Sequence, residues 1–249
     1  MTDNLKLQKE YKIHVYETDT DSKLNLVSLF NYLQDVASEH AEILGFGRDD
    51  LMKHNHFWAL SRMYAEISIW PAWGETIVVN TNPNGTDKLF ALRNYEVCYP
   101  DGRHIAFATS SWLILDHSTR KIQRPETALS HFNRHPETQE SPIRYASKLE
   151  FVDSEAKKSD RFKVKISDLD VNLHTNNVKY LQWINDVYDL DFVKQNTIHS
   201  IEINYLSESF CNNEVFLQTC PSNDGYYNHS VMRTDSKELC RVKLGWKQQ

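Results

Sequence analysis

The chain has 249 residues, of which 40% are hydrophobic and 25% charged, and its formal net charge is −6. This balance is typical of a globular protein and excludes collagen-like or low-complexity chains. The negative charge argues against general nucleic-acid binding, which requires basic surfaces. No run approaches the ~20 apolar residues of a membrane-spanning helix, and no secretory signal is visible. We therefore expect a cytoplasmic protein without a membrane partner.

The first half of the chain predicts one helix followed by a sheet. Leu29, Leu33 and Val36 have helical spacing. Strand-like runs follow at residues 75–81, 89–98 and 111–115. The sequence Pro-Asp-Gly at residues 100–102 separates two of these runs and is typical of a tight turn.

A linker is predicted between the two halves. Residues 131–160 are rich in Glu, Ser, Lys and Pro and lack sustained periodicity, with an ordered piece expected around residues 143–151. The predicted organisation is an N-terminal domain at residues 1–135, a linker at 136–158 and a C-terminal domain at 159–249.

The second half repeats the pattern of a sheet with one central helix. Val178, Leu181 and Ile184 have helical spacing, and Asn176 or Asn177 would cap the helix. Alternating apolar residues predict two strands with one solvated face: Phe162, Val164 and Ile166, and Val242, Leu244 and Trp246.

A faint internal repeat supports two similar halves. Residues 19–25 match residues 168–174 with an offset of 149, and two Tyr-Leu-Gln triplets match with an offset of 148. In this register Lys23 and Asn25 replace the asparagine and histidine of the second passage. We therefore expect the N-terminal half to be non-catalytic.

The second passage carries the polar residues best suited to catalysis. Asp170, Asn172 and His174 are spaced by two, and in an extended segment they would face the same side. They precede a helix, whose first N–H groups stabilise negative charge. Acyl transfer needs this combination, because its tetrahedral intermediate carries an oxyanion. The pattern alone also fits a surface histidine beside turn residues.

Four passages carry a family resemblance: Phe57-Trp-Ala-Leu-Ser-Arg-Met63, Pro71-Ala-Trp-Gly-Glu-Thr76, Ala108-Thr-Ser-Ser-Trp-Leu113 and Asp168-Leu-Asp-Val-Asn-Leu-His-Thr-Asn-Asn-Val-Lys-Tyr180. In this order, and over nearly the whole chain, they resemble the acyl-acyl carrier protein thioesterases of plants and bacteria. The resemblance implies an α+β fold with two hot-dog domains in tandem, each an antiparallel sheet wrapped around a central helix. It also implies hydrolysis of fatty acyl-acyl carrier protein thioesters to free fatty acids, ending fatty acid synthesis.

The resemblance implies a catalytic set made of Asp170, Asn172, His174 and a glutamate farther along the chain. Alignment with the family assigns Glu208, and Glu202 and Glu214 are the alternatives. Glu208 would activate water or attack the thioester directly. The asparagine and histidine would position the reacting groups, the aspartate would orient them, and main-chain N–H groups at residues 176–178 would complete an oxyanion hole.

A cysteine nucleophile is not expected. Many plant relatives carry a cysteine directly after the glutamate, whereas this chain has Ser209, which cannot replace a thiolate without its own base. Cys211 lies two residues farther on and has no evident activating group. The cysteines are widely spaced and form no CxxC pair: Cys98, Cys211, Cys220 and Cys240.

No metal or cofactor is expected, because the two histidine pairs, His54 with His56 and His131 with His135, lack an evident third ligand. We interpret all four histidines as surface residues.

The expected partners are acyl carrier protein and its fatty acyl thioester, with a homodimer as a further expectation. The N-terminal half would build the acyl pocket from residues such as Met63, Ile67, Trp58 and Trp112. The rival functions are a coenzyme A thioesterase of the same fold, an enzyme that hydrates enoyl thioesters, and a non-catalytic acyl-binding module. Two basic clusters are candidates for the rim that meets an acidic carrier or coenzyme A phosphates: Arg120, Lys121 and Arg124, and Arg241, Lys243 and Lys247.

Overall fold

The computed structural model describes residues 5–130, 140–152, 156–222 and 225–248. The chain divides into two compact units, Met1–Tyr145 and Ala146–Gln249. The division falls inside the segment predicted as a linker. His131 and His135 lie outside the described residues.

The N-terminal unit combines one long helix with an antiparallel sheet. Its helices are α1 (Leu26–Leu44), α2 (Arg48–Met52) and α3 (Pro125–Ala128). Its strands are β1 (Leu7–Lys12), β2 (His56–Ile67), β3 (Thr76–Asp87), β4 (Phe90–Cys98), β5 (His104–Asp116) and β6 (Ile122–Gln123). The strand order is β1–β3–β4–β5–β2, and β6 pairs with β5. The predicted first helix and the three predicted strand runs are confirmed.

Packing of one apolar face explains why α1 forms where it does. Leu29, Leu33 and Val36 are buried in α1, which packs against β1 and β3. Burying each such side chain contributes about 1.5–3 kcal/mol. Asn25 caps the first turn through its side chain, and Gly45, with φ of 81°, ends the helix in the left-handed conformation that glycine adopts easily.

The C-terminal unit repeats this architecture. Its helices are α4 (Asn177–Asn185) and α5 (Leu190–Gln195). Its strands are β7 (Lys157–Lys158), β8 (Phe162–Lys163), β9 (Asn196–Tyr205), β10 (Glu214–Pro221), β11 (Tyr226–Arg233) and β12 (Glu238–Gln248). The strand order is β9–β12–β11–β10–β7, and β8 pairs with β10. Aromatic contacts join α4 to the strands, since Tyr180 meets Tyr205 edge-on and Trp183 meets Phe162 in the same way.

One of the two strands predicted in this half is confirmed, and the other is confirmed only at its start. The alternation at residues 242–246 lies in β12, where its apolar members are buried. The alternation at residues 162–166 yields only a short β8, because the chain turns away from the sheet. Ile166 is 82% exposed and begins a 3-10 turn, Ile166–Asp168, which is held by a hydrogen bond from Lys165 N–H to Asp168 Oδ2 (2.8 Å).

Residues 140–152 lack periodicity because side chains of buried strands hold them in place. Tyr145 Oη donates to Asn94 Oδ1 at 2.5 Å in the N-terminal unit. In the C-terminal unit, Leu149 N–H donates to Asn204 Oδ1 at 2.8 Å. These partners satisfy the segment without a regular backbone ladder, so no alternating pattern is needed.

The internal repeat is present, but its register differs from the predicted one. A 3-10 turn at Val15–Glu17 corresponds to the one at Ile166–Asp168, which is an offset of 151. Asp19 Oδ1 accepts the N–H groups two and four residues farther on, at 2.9 and 3.0 Å. Asp170 Oδ1 accepts the corresponding groups at 2.8 and 3.1 Å. The matched pairs are Asp19 with Asp170, Asp21 with Asn172, Lys23 with His174 and Asn25 with Asn176.

The predicted offset of 149 was wrong because it matched aspartates by residue type. In the structure Asp168 corresponds to Glu17, since each carboxylate accepts the N–H group three residues earlier at 2.8 Å. The correct register places Lys23, and not Asn25, at the position of His174. The N-terminal loop therefore still lacks the histidine.

Candidate active site

The candidate site lies on a tight turn that leads into α4. Asp170 N–H donates to His174 O at 2.8 Å, and Leu173 has φ of 63°. The Asp170 carboxylate accepts the N–H groups of Asn172 and His174. A short acidic side chain commonly binds its own backbone in this way. The expected extended segment is therefore wrong, and Asp170 faces the loop backbone.

His174 and Glu208 form the central contact of the site. His174 Nδ1 lies 3.3 Å from Glu208 Oε1, and the two side chains are 20% and 40% exposed. Phe210 meets the His174 ring edge-on, with 5.1 Å between ring centroids. The carboxylate is thus reachable by water while one of its oxygens faces an imidazole nitrogen. Such a pair can orient a nucleophile and move a proton.

Asn172 lies on the exposed side of the same turn. Its N–H group donates to Asp170 Oδ1 at 2.8 Å. The structure therefore links three predicted residues through contacts, since Asp170 holds the backbone of Asn172 and of His174. It also places the Glu208 carboxylate next to Nδ1 of the His174 ring.

The two alternative glutamates have other positions. Glu202 is buried in β9, where its Oε1 accepts the N–H and Oγ–H groups of Ser147 at 2.5 and 3.0 Å. This arrangement holds the start of the C-terminal unit. Glu214 begins β10, and its carboxylate lies 4.0 Å from Arg161. Of the three candidates, Glu208 is the one for which a contact with His174 is described.

The start of α4 supplies fewer oxyanion donors than predicted. Asn176 is the cap, and its Oδ1 accepts Val178 N–H at 3.2 Å. Its own N–H donates to Asp168 O at 2.8 Å. The prediction is therefore wrong for Asn176 and Val178, whose N–H groups are used within the chain. Asn177 N–H remains the candidate donor in the first turn, where the helix dipole favours negative charge.

Ser209 has its side chain inside the protein. It is 0% exposed, and its Oγ lies 2.6 Å from Thr175 Oγ1 and 2.9 Å from Tyr180 Oη. Side chains alternate along an extended segment, so Glu208 and Phe210 are exposed while Ser209 points inward. The sequence reasoning missed Thr175 and Tyr180 as its partners. Applying this alternation to residues 208–210 would have indicated an inward side chain at 209.

The four cysteines are free thiols. Burial raises the pKa of the Cys98 thiol, and it raises the pKa of the Cys240 thiol well above its ordinary value. A reactive cysteine needs the opposite change, because the thiolate is the nucleophile.

Residues 5–130, 140–152, 156–222 and 225–248 contain neither a group of metal-ligating side chains nor a membrane-spanning helix. Across these ranges, no group of three or more His, Cys, Asp or Glu side chains could hold a metal ion. None of the helices in these ranges is long and apolar enough to cross a membrane.

Two family models together match most of the chain. The model described as the acyl-ACP thioesterase N-terminal domain matches residues 4–129, and that described as the acyl-ACP thioesterase C-terminal domain matches residues 152–248. Among curated relatives, palmitoyl-acyl carrier protein thioesterase from Cuphea hookeriana is 25% identical over 264 residues. The corresponding protein from Gossypium hirsutum is 28% identical over 271 residues. These matches cover 98% of this chain but 63% and 64% of the two relatives, respectively.

Two solved structures agree on the fold over 98% of this chain. An acyl-ACP thioesterase from Bacteroides thetaiotaomicron is 25% identical, with a TM-score of 0.89 and coverage of 98% of this chain and 99% of that one. The 12:0-ACP thioesterase from Umbellularia californica is 21% identical, with a TM-score of 0.82 and coverage of 98% of each chain. The predicted tandem hot-dog fold of class α+β is confirmed.

Proposed function

Because the chain belongs to the acyl-ACP thioesterase family, we propose that it hydrolyses fatty acyl thioesters of acyl carrier protein. The products are a free fatty acid and the carrier thiol. The observation that carries the proposal is the 3.3 Å contact between His174 Nδ1 and Glu208 Oε1. A fold alone does not define a reaction, whereas an exposed carboxylate held against a histidine supplies the base that hydrolysis needs.

In this proposal Glu208 is the general base. Its exposed carboxylate takes a proton from water while the water oxygen attacks the thioester carbonyl carbon. The tetrahedral intermediate then collapses, the C–S bond breaks, and the leaving thiolate takes the proton from Glu208. His174 holds the carboxylate in position and orients the attacking water.

The alternative is direct attack by Glu208 to form a transient anhydride. A single turnover in ¹⁸O-labelled water detects the anhydride route when water opens the anhydride at the Glu208 carbonyl. Attack by water on the thioester, or on the acyl carbonyl of an anhydride, places the label in the fatty acid and leaves Glu208 unlabelled. Label in the Glu208 side chain would instead support the anhydride route.

The remaining site residues act on the thioester carbonyl and on the loop. The Asn172 amide and Asn177 N–H donate to the carbonyl oxygen, whose negative charge grows in the transition state. Asp170 acts indirectly, because its carboxylate binds the N–H groups of Asn172 and His174.

We assign binding of the acyl tail to the N-terminal unit. Its matched loop carries Lys23 where the C-terminal loop carries His174, which argues against a second reaction centre. Met63 is buried on β2, and the rings of Trp58 and Trp112 meet edge-on with centroids 6.4 Å apart. These features supply apolar surface of the kind an acyl chain requires.

We assign a basic surface of this chain to the binding of acyl carrier protein, in preference to coenzyme A. Arg241 is less suited to this contact, because Glu238 accepts from its guanidinium at 2.8 and 2.6 Å and Leu149 O accepts at 2.6 Å. The cluster of Arg120, Lys121 and Arg124 is exposed and suits an acidic partner. Residence in the cytoplasm and assembly as a homodimer are further parts of the proposal.

The test is thiol release from matched acyl-carrier-protein and acyl-coenzyme A donors over a range of chain lengths. Faster turnover of carrier-protein donors would support the proposal. Preference for coenzyme A donors would keep the chemistry and change the substrate. A folded protein that binds fatty acyl groups but hydrolyses neither donor would be an acyl-binding module.

A further inference from the structure

Three buried hydroxyl side chains lie directly behind the site. Ser209 Oγ is 2.6 Å from Thr175 Oγ1 and 2.9 Å from Tyr180 Oη. All three residues are buried, and burial raises the pKa of the Tyr180 phenol, which therefore stays neutral. We call Thr175, Ser209 and Tyr180 the hydroxyl chain.

The hydroxyl chain joins the two segments that carry the reacting side chains. Thr175 directly follows His174, and Ser209 directly follows Glu208. The segments also share a main-chain hydrogen bond from Thr175 N–H to Ser209 O at 2.9 Å. Tyr180 connects the segment of Ser209 to α4. The spacing between His174 and Glu208 is therefore set immediately behind them.

The N-terminal unit shows that the fold does not need these hydroxyls. Its matched loop keeps the main-chain bond, from Leu24 N–H to Pro71 O at 2.8 Å. Leu24 stands in place of Thr175 and Pro71 in place of Ser209. The fourth residue of α1 is Leu29, in the position that Tyr180 has in α4. All three are buried apolar residues.

This difference favours a role in the reaction over a role in stability. A buried hydroxyl loses its water and regains only a modest net stabilisation from each hydrogen bond. Apolar residues fill the same positions in the other unit, so polar ones are not required for packing. Directional O–H···O bonds, however, fix spacing and rotation more narrowly than apolar contacts do.

We propose that the hydroxyl chain positions His174 against Glu208, with Ser209 as the central positioning residue. The inference rests on the proposed function, because it concerns the same site. Ser209 does not touch the substrate and acts through its two neighbours. A displacement of about 1 Å between reacting groups can reduce a rate ~10²-fold. Loss of a hydrogen bond from the hydroxyl chain should therefore slow turnover without abolishing substrate binding.

The first test removes the hydroxyls one at a time. We expect Ser209→Ala and Tyr180→Phe to lower kcat by ~10- to 100-fold while KM changes by less than about threefold. Thr175→Val should behave in the same way, whereas Thr175→Ser, which keeps the hydroxyl, should retain most of the parent kcat. Tyr180→Phe removes a single atom, so it keeps the test valid if Ser209→Ala fails to fold.

Tyr188→Phe is the matched control. It removes a partly buried tyrosine hydroxyl of the same unit, one that lies 2.8 Å from His229 Nε2. Its thermal unfolding temperature should fall about as much as that of Tyr180→Phe, but kcat should not change. Equal kcat losses in the two variants would indicate a general effect of destabilisation and would overturn the inference.

A double variant tests whether Ser209 acts through His174. When His174→Ala is already present, adding Ser209→Ala should produce little further loss of the residual rate. If Ser209→Ala lowered the rate by the same factor in the parent and in His174→Ala, the inference would be overturned, because independent effects on a rate multiply. Single variants Ser209→Ala and Tyr180→Phe that fold and keep the parent kcat would overturn it as well.

The His174 ring signal in ¹H–¹³C NMR spectra separates this inference from the proposed function. A shift or broadening of that signal in Ser209→Ala, but not in Tyr188→Phe, supports positioning even if the parent hydrolyses no thioester. An unchanged signal overturns the inference even if the parent is an active thioesterase.

Discussion

The loops that precede α1 and α4 share a backbone but differ in the side chains that can do chemistry. Each begins with a 3-10 turn, continues with an aspartate that accepts two N–H groups, and ends on an asparagine cap. The N-terminal loop has Lys23 at the position that His174 occupies in the C-terminal loop. The shared main-chain bond matches Pro71 with Ser209, so Trp70 stands in place of Glu208.

This comparison separates residues that build the loop from residues that suit the reaction. Asp170 would look catalytic from its position beside His174, yet Asp19 makes the same two hydrogen bonds in a loop without a histidine. Residues that make the same backbone hydrogen bonds in both loops are explained by the shared loop conformation. Residues present only in the C-terminal copy, above all His174 and Glu208, remain to be explained by function.

The largest expected difference lies at the position of the histidine. His174→Ala should lower kcat for hydrolysis of fatty acyl thioesters of acyl carrier protein by a factor of ~10²–10⁴, the usual effect of losing a positioned acid or base. Lys23→Ala, the matched change in the N-terminal loop, should leave kcat unchanged. Thiol release at saturating substrate measures both. Comparable losses in the two variants would mean that both loops take part.

The aspartates test the assignment of Asp170 to the backbone. Asp170→Ala and Asp19→Ala each remove two N–H···O bonds, so each should lower the free energy of unfolding by about 1–2 kcal/mol. Only Asp170→Ala should also lower kcat, because only that loop carries His174. Urea unfolding and thiol release provide the two readouts. If Asp19→Ala reduced kcat equally, the separation of roles between the loops would be wrong.

The sheet behind the C-terminal loop contains a buried histidine that makes this half sensitive to acid. Burial lowers the pKa of His229 to about 3, where it lies between Tyr188 and Thr219. The unfolded chain binds a proton at about pH 6.5, so the free energy of unfolding falls as pH decreases from there, by up to ~1.4 kcal/mol per pH unit. This loss continues until the folded pKa is reached.

Urea unfolding near neutral pH and at about pH 5 measures this loss. His229→Gln should flatten the pH dependence, and His117→Gln, at an exposed position, should not. An unchanged slope in His229→Gln would assign the acid sensitivity to other groups.

The helix caps should show the smallest difference. Asn25 Oδ1 accepts Ser28 N–H at 2.8 Å, and Asn176 Oδ1 accepts Val178 N–H at 3.2 Å. Replacing either asparagine with alanine should reduce stability by about 1 kcal/mol. Thermal unfolding of the two variants compares them directly. A loss in Asn25→Ala several times that in Asn176→Ala would show that the caps are not equivalent.

The amount that could be predicted from sequence depended on how local its cause was. Periodicity was sufficient for α1 and for β12, because one buried face dictates the pattern. Glu208 required the family resemblance, since nothing in Ser-Glu-Ser distinguishes it from a solvated glutamate. The turn at Asp170 was only the alternative to an extended segment, because a carboxylate that binds its own backbone leaves no periodic pattern in the sequence.

The partners of Ser209 were missed for a different reason. Its contacts with Thr175 and Tyr180 join residues 34 and 29 positions apart, so they depend on tertiary packing. The repeat register was misjudged because residue types were compared without their hydrogen-bonding roles.

The most direct test of the proposed chemistry is thiol release from fatty acyl thioesters of acyl carrier protein. The parent and Glu208→Gln are compared at equal folded concentration. Glutamine keeps the size of the side chain and removes the base. We expect multiple turnovers by the parent and a kcat lower by ~10²–10⁴ in the variant. A Glu208→Gln protein as fast as the parent would contradict the proposed chemistry.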